Sequence, residues 1–534
     1  MSLSKSLVVL GLGIFASADL PIHCIHKDVV GTWLFEYSAN DHDNTESCGY
    51  NHPDNNGDHF NGNYKYKFKK AGEFKVVLGP KNTVMDASGH RATGNWTMVY
   101  DEGFELNRAG AKYFAFFHYD VMPGRSTKSD EVSDYISFCD KTRVGWFHSP
   151  GNRGYGCYRA LQTHDRDGRP VIRNSDHMDL AAKRSKRLKL RHDNIVSRFP
   201  THQEENRFFQ QSYSFIEAVN SDSSMHWTAK AHHQFTGKSH KHMRSLIGHR
   251  TYTRQLKHGD GHGVDRHTGR LRSMPAAAPH NDNDAEVMKT LPANFDWRNV
   301  NGSNYVTPVV NQGSCGSCYA ISSMAGFESR LRIANGADKE IFLSAQDVLS
   351  CSAYNQGCEG GYPFLVAKYG EEFGFVAETS LPYDGTDDVR CESEKAGAAR
   401  FKSTNYHYVG GFYGACNEAR MMQEIYDKGP VVVAFQAPSE LFYYEGGIFT
   451  GARPKTEVEP SEDRVNDWEQ TNHAVLAVGW GYDKAKDMKY WIIKNEWGDM
   501  WGEGGYFRIR KGTDECGIES MAVAMDVTPL PSNM

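Results

Sequence analysis

The eleven cysteines of this 534-residue chain fall into two groups with none between them. Cys24, Cys48, Cys139 and Cys157 lie early, and the other seven follow residue 310. Disulfide staples act only between residues that are close in space, so the early four point to a separately stapled unit. Chain length argues the same way, because single cores stop growing beyond about 250–300 residues. Two or three domains are expected. An odd number of cysteines leaves at least one thiol unpaired.

The N-terminus explains why disulfides are expected at all. Lys5 is followed by an apolar run over residues 7–15 and then by Ala16-Ser17-Ala18. That order of charge, hydrophobe and small residue is the pattern of a secretory signal peptide, here residues 1–18. Cleavage after Ala18 would make Asp19 the first mature residue. The apolar run is too short to span a bilayer, and no later stretch is long and apolar enough. A soluble protein of the secretory pathway is expected, with no membrane partner. Net charge of −6 and a pI near 6.5 give no global argument for nucleic-acid binding.

Three regions of different character follow. Residues 19–161 are rich in glycine and aromatics and alternate with period two, as in residues 64–69, with further strand-like runs at 74–78, 113–119 and 145–147. This predicts an all-β unit, a barrel or a sandwich. Asn95 and Asn301 open glycosylation sequons. Residues 162–290 contain no cysteine but 14 of the 24 histidines, a basic run at 183–191 and a Pro/Ala-rich linker at 274–279. Helical spacing is expected over 207–227. The histidines lack a repeated ligand spacing with paired cysteines, so surface positions are expected and no metal site. This middle region reads as a propeptide and linker, and its histidines suggest that acid loosens it. From residue 291 to 534, a helical run after Cys318 followed by strands at 431–435, 474–478 and 490–493 predicts an α+β domain with two lobes.

Chemistry concentrates in Asn311-Gln312-Gly313-Ser314-Cys315-Gly316-Ser317-Cys318-Tyr319. Cys318 opens a helix, where the dipole lowers a thiol's pKa and favours the nucleophilic thiolate. The base it needs is one of two histidines beyond residue 290. His407 sits between tyrosines in a setting that suggests structure or surface. His473 opens the apolar run 474–478, at the mouth of a buried strand, and is the candidate. Asn495 would orient it, and Trp497 would shield that contact from water. The backbone N–H of Cys318 and the amide of Gln312 are placed to stabilise an oxyanion. The Cys315–Cys318 spacing also fits redox or zinc motifs, but neither a preceding βαβ unit nor a second ligand pair is evident.

These motifs resemble the papain-like cysteine proteases, with His473 and Asn495 lying 155 and 177 residues beyond Cys318. The spacings imply an insertion, placed at the acidic loop 456–467. Stretches near residues 19–24, 31–33, 114–117, 297–300, 406–411 and 510–516 resemble, in order, the dipeptidyl-peptidase branch of that family. The resemblance implies an N-terminal β-barrel exclusion domain over 19–161, an excised propeptide, and a two-lobed peptidase over 291–534. The peptidase would be nicked into a heavy chain ending near 460 and a light chain from about 467, and assembled as a homotetramer. It implies Cys318 as nucleophile, His473 as base and acid, Asn495 as orienter, Gln312 as oxyanion donor and Trp497 as shield. Gly360 and Gly361 would pair with substrate backbone, while Tyr362, Phe364 and Met521 would line the pocket for the second residue. Asp19 would hold the substrate's free amino terminus. Tyr408 would bind a chloride ion. The implied disulfides are Cys24–Cys139, Cys48–Cys157, Cys315–Cys358 and Cys351–Cys391, leaving Cys318, Cys416 and Cys516.

The chain also departs from the family. Ser380 stands where a third peptidase disulfide would have one cysteine, and Glu496 replaces the serine that usually follows the orienting asparagine. The expected function is release of dipeptides from free N-termini in a lysosome-like or secretory compartment. A cathepsin-like endopeptidase that has lost its exclusion domain is the alternative.

Overall fold

The computed structural model describes residues 22, 24–39, 48, 69–122, 135–150, 154–171, 207–247, 281–386, 388–391, 399–451 and 471–528. The signal segment, Asp19, the alternation at 64–68, the basic run, the Pro/Ala linker and the acidic loop 456–467 lie outside the described residues.

The first region is a barrel. Strands β1 (Gly31–Ser38), β2 (Lys70–Leu78), β3 (Thr83–Met85), β4 (Ala92–Val99), β5 (Gly103–Arg108), β6 (Ala111–Val121), β7 (Tyr135–Thr142), β8 (Gly145–His148) and β9 (Tyr155–His164) form one sheet. β1 pairs antiparallel with both β2 and β9, so the sheet closes on itself. Closure removes the exposed edges that a sandwich would leave. Period-two alternation in β1 turns Trp33 and Phe35 inward, and Phe35 stacks on Phe74 at 4.9 Å and on Tyr158 at 5.5 Å. Disulfides Cys24–Cys139 and Cys48–Cys157 bridge separations of 115 and 109 residues within this unit.

The second body is mixed α/β. Its sheet runs in the order β10 (Trp227–Ala229), β16 (Tyr444–Phe449), β19 (Tyr506–Arg510), β18 (Met488–Lys494), β17 (His473–Asp483), β15 (Val431–Phe435), β20 (Ala522–Val527) and β14 (Ser403–Tyr408). β11 (Phe295–Asp296) joins β17, and β12 (Phe375–Val376) with β13 (Arg400–Phe401) makes a small ribbon. The α-helices of this body are α1 (Tyr213–Ser221), α2 (His240–Ser245), α3 (Asp282–Thr290), α4 (Cys318–Asn335), α5 (Ala345–Cys351), α6 (Pro363–Glu372) and α7 (Glu418–Lys428) among the described residues. α4 is buried on every face from Cys318 to Leu331, the mark of a central helix rather than an amphipathic surface one. Gly336 ends it at φ 119°, a backbone conformation that a side chain would strain. Cys315–Cys358 and Cys351–Cys391 staple this body, and Cys318, Cys416 and Cys516 are buried and belong to no disulfide. Ser380 sits in a turn closed by its amide on the Ala377 carbonyl.

Two expectations for the middle region need correction. Residues 207–227 are not one helix: α1 stops at Ser221, where Asp222 accepts from the Ser224 amide and hydroxyl in a tight turn. Trp227 then enters β10, which adds to the edge of the peptidase sheet through β16. A sheet edge with open hydrogen-bonding groups outcompetes the helical spacing. Nor are the histidines all at the surface, because His232 is buried and bonds the Tyr444 carbonyl at 2.8 Å. Further along, α3 is anchored by buried Asp284, which meets Asn417 and Arg420 of the α7 region.

Barrel and peptidase meet through a buried polar cluster. Lys368 on α6 reaches Glu105 of the barrel at 3.1 Å and Glu372 at 2.6 Å, and His148 lies 3.1 Å from Glu372. Beside it the Tyr362 hydroxyl bonds Glu102, and the Tyr406 hydroxyl donates to Glu105 at 2.7 Å.

Candidate active site

Each candidate residue arrives on a rigid element. Cys318 is the first residue of α4, directly after Ser317. His473 is the first residue of β17, and Asn495 follows the last residue of β18, the neighbouring strand. The two strands pair antiparallel, so their ends meet, and His473 Nε2 donates to Asn495 Oδ1 at 2.8 Å. That bond fixes the tautomer and leaves Nδ1, which makes no hydrogen bond, as the basic nitrogen. Trp497 stacks over His473 with centroids 5.2 Å apart and planes 21° apart. The amide of Ala474, next to His473, bonds the Cys318 sulfur. Cysteine, imidazole and asparagine thus share one pocket.

The loop before Cys318 is tied to the loop after Asn495. The Gln312 amide N–H donates to the Glu496 carbonyl at 2.8 Å, and Asn311 pairs with Trp497. Tyr383 adds a brace, bonding Ser317 Oγ at 2.5 Å and donating to the Gln312 carbonyl at 2.8 Å. Across the cleft, the Gly316 amide donates to the Cys358 carbonyl. Gly361 packs so closely that a Cβ there would come within 2.5 Å of the Tyr319 ring. Gly360 lies at φ 131° and accepts from the Gln356 amide.

The middle region closes this pocket. Gln312 Nε2 donates to the Ser245 carbonyl at 3.2 Å, and Trp497 Nε1 donates to the Leu246 carbonyl at 3.2 Å. Gln234 donates to the Trp497 carbonyl at 2.9 Å, and His242 meets Ser314 Oγ at 3.0 Å. Phe235 packs against Phe442 and Trp497 at 5.5 and 6.2 Å. The side-chain amide of Gln312 is therefore occupied by two backbone carbonyls, Ser245 of the middle region and, at 2.9 Å, Cys315 of its own loop.

The thiol's shift has the opposite sign to the one expected from the helix N-terminus. The helix N-terminus favours thiolate, but burial and then the carboxyl of Glu496 push Cys318 up to about 12. Burial likewise lowers His473 to about 4 against the opposing bond from Asn495. Desolvation outweighs a terminal dipole in a dry pocket. The pair is uncharged in this closed state.

Of the residues expected to line the substrate pocket, Tyr362 meets the barrel. Tyr362 precedes α6, with its hydroxyl on Glu102 and its ring 4.6 Å from Tyr100. Phe364 stacks on Tyr408 at 4.5 Å, and Met521 is buried, with its carbonyl accepting from the Ala434 amide. Asp19 lies outside the described residues, but the Cys24 amide donates to the Asp101 carbonyl, adjacent to Glu102. His407 is away from this pocket, paired with Glu424 at 3.7 Å. Asn95 and Asn301 are exposed. Among the described residues no group of three or more His, Cys, Asp and Glu could hold a metal ion. No described helix is long and apolar enough to cross a membrane.

Sequence reasoning missed Tyr383, Ser245, Leu246 and Glu102. Their contacts with the site span 66, 67, 251 and 260 residues, and no local pattern announces them.

A cysteine at a helix start, a histidine oriented by asparagine under an indole, and a mixed α/β domain define a cysteine peptidase of papain type. The signature described as papain family cysteine protease matches residues 291–525, and that of the cathepsin C exclusion domain matches 19–162. Cathepsin C of Schistosoma mansoni is 31% identical over 97% of this chain and 98% of its own length. Dipeptidyl aminopeptidase 1 of Plasmodium falciparum is 25% identical over 96% of this chain and 94% of its own. Pro-cathepsin H of Bos taurus is 36% identical over 43% of this chain and 63% of its own. The chain belongs to the papain family of cysteine proteases, in its cathepsin C line.

Proposed function

We propose that this cysteine dipeptidyl peptidase cuts with a Cys318 thiolate and measures two residues from a free N-terminus with its barrel. His473 takes the thiol proton and later delivers it to the leaving amine. Asn495 holds the imidazole through Nε2, and Trp497 keeps water from that bond. Gln312 and the Cys318 amide receive the oxyanion. Gly360 and Gly361 align substrate backbone, while Tyr362, Phe364 and Met521 bound the second pocket. The observation that carries the dipeptide reading is the contact of Glu102, from the barrel, with Tyr362 at the cleft. It supports a barrel set against that end of the groove, and the Cys24 amide on the Asp101 carbonyl, next to Glu102, supports the same end for Asp19. Asp19 there would meet a substrate ammonium, and two opposite charges about 4 Å apart are worth about 1–4 kcal/mol.

Tyr408 and the start of α6 fit a chloride ion. The tyrosine is buried against Phe364, whose amide lies in the first turn of a helix without a side-chain cap. A hydroxyl donor beside a helix N-terminus suits an anion. The Tyr362 amide adds nothing, because it is committed to Asn355 at 2.8 Å. Bound there, chloride would supply a fixed negative charge beneath the pocket.

Residues 207–247 act as a propeptide whose removal wets and charges the pair. Mature segments beginning at 19 and 291, a cut within 460–467, a homotetramer and delivery to a lysosome-like compartment complete the reading. The test is cleavage of a free-amine dipeptide reporter against its N-acetylated form after maturation, with and without thiol alkylation. Alkylation-sensitive cleavage confined to the free amine is expected. Equal rates on both reporters would overturn the dipeptide reading, and alkylation-insensitive cleavage would overturn the thiolate.

A further inference from the structure

Glu496 follows Asn495 at the position where the family pattern has serine. Its side chain is buried rather than solvated, and one carboxylate oxygen lies 3.8 Å from His473 Nε2, the nitrogen that also bonds Asn495. That oxygen, Oε2, makes no hydrogen bond. The backbone of Glu496 is pinned by the Gln312 amide on its carbonyl, so the side chain has a fixed origin. A buried carboxylate oxygen without a donor is costly, and here it is aimed at the one ring whose charge changes in the reaction.

We propose that Glu496 is a positioning residue of the peptidase: as a carboxylate beside Nε2 it holds the His473 imidazolium that pairs with the Cys318 thiolate. The proposal rests on the Cys318–His473–Asn495 reading above. The proton moves from Cys318 Sγ to His473 Nδ1, giving thiolate and imidazolium, and Glu496 neither gains nor loses one in that step. In the closed cleft burial keeps Glu496 well above the usual carboxylate range, so the 3.8 Å contact is not yet an ion pair there. Removal of residues 207–247 admits water, which lowers that penalty.

The groups acting on Glu496 come from three elements. His473 of β17 is the partner. Cys318 of α4 feels its charge as repulsion. Lys494 of β18 draws its value down, and is itself lowered to about 8 by burial against the pull of Glu328 and Glu496. An ionised Glu496 therefore raises both the thiol and the imidazolium. Both limbs of the pH–rate profile move up together, which packing alone would not do. A unit charge near 4 Å corresponds to a displacement of about 0.7 to 3 pH units.

The experiment compares kcat/KM against pH for the matured wild type, E496Q, E496S and E496D on the free-amine reporter. E496S restores the family's residue and guards against a misfolded E496Q. The expected result is a fall of the alkaline limb by about 0.7 to 3 pH units in E496Q and E496S, with E496D remaining nearer the wild type. Alkaline limbs of E496Q and E496S that superimpose on the wild type, whatever their maximal rates, would overturn the proposal. Activity surviving in C318S would instead overturn the underlying peptidase assignment, a result the limbs cannot mimic.

Discussion

Lys368→Met tests whether the buried cluster fastens the barrel to the peptidase. The ammonium is fully buried, 3.1 Å from Glu105 and 2.6 Å from Glu372. Burial alone would lower Lys368, yet the two carboxylates overcome it and raise it. Burial alone would raise Glu372, yet His148 and Lys368 overcome it and hold it far below the usual range. Methionine fills the same volume and leaves Glu105 without its cation and Glu372 with His148 alone. Removing one partner of a buried pair costs about 3–5 kcal/mol, which for a domain of this size lowers the melting point by about 6–20 °C. A raised lysine stabilises below its ordinary value, and a depressed glutamate stabilises above its own. The difference between variant and wild type should therefore hold from about pH 4.5 to about pH 10. The assays are thermal melting at pH 5 and 7 and cleavage of the N-acetylated reporter, which should appear as the barrel loosens. Adding E105Q and E372Q removes the stranded charges and should recover much of the melting point. A K368M melt within about 1 kcal/mol of wild type, with the acetylated reporter still untouched, would refute the role of the cluster.

Asp19→Ala should depress dipeptide release far more than it depresses alkylation of Cys318 by iodoacetamide; equal losses would argue against a substrate-holding carboxylate. Phe235→Ala removes the ring wedged against Phe442 and Trp497. A large core truncation of this kind costs about 3–5 kcal/mol, so alkylation of Cys318 in the unprocessed chain should quicken at least about a hundredfold. His232 is lowered by burial, with the Lys230 charge acting the same way and the Tyr444 and Met500 carbonyls and Glu445 opposing. Its docked form is neutral, so its contribution is complete above about pH 6.5 and is lost as pH falls below that value. Release of the 207–247 segment by an added protease should accelerate between about pH 7 and pH 5 in the wild type and do so less steeply in H232N. Parallel pH dependences would refute this.

What could be read from sequence was whatever short-range chemistry determines. Cys318, His473, Asn495 and Trp497 each sit at a strand or helix end marked by a local switch from polar to apolar residues. Strand-like runs marked the first region as all-β and left barrel or sandwich open, a choice made by the pairing of β1 with β9, and the absence of cysteine marked the region between the two bodies. The errors share one cause, which is that a distant segment supplied the deciding energy. Residues 207–227 have helical spacing, but a vacant edge at β16, more than two hundred residues later, claims Trp227–Ala229 as a strand. The Cys318 thiol has a helix dipole in its favour, but burial and the carboxyl of Glu496, brought in from the end of β18, reverse the sign.

That reversal bears on how the chain is kept silent. On the proposed roles of Gln312 and Cys318, the closed pocket would be silenced twice over, by a backbone carbonyl on the Gln312 amide and by burial that favours the thiol over the thiolate. The two effects are separable. A small neutral alkylating agent that slips past the segment without displacing it would still find a protonated sulfur, so its rate should rise with pH only toward the thiol's raised value of about 12. After processing, the same reagent should react at near-neutral and mildly acidic pH, because water and the imidazolium then hold the thiolate. A single steric block predicts a different outcome: slow alkylation whose pH dependence is unchanged by processing. Identical profiles before and after maturation would therefore leave occlusion as the whole mechanism and remove charge suppression from it.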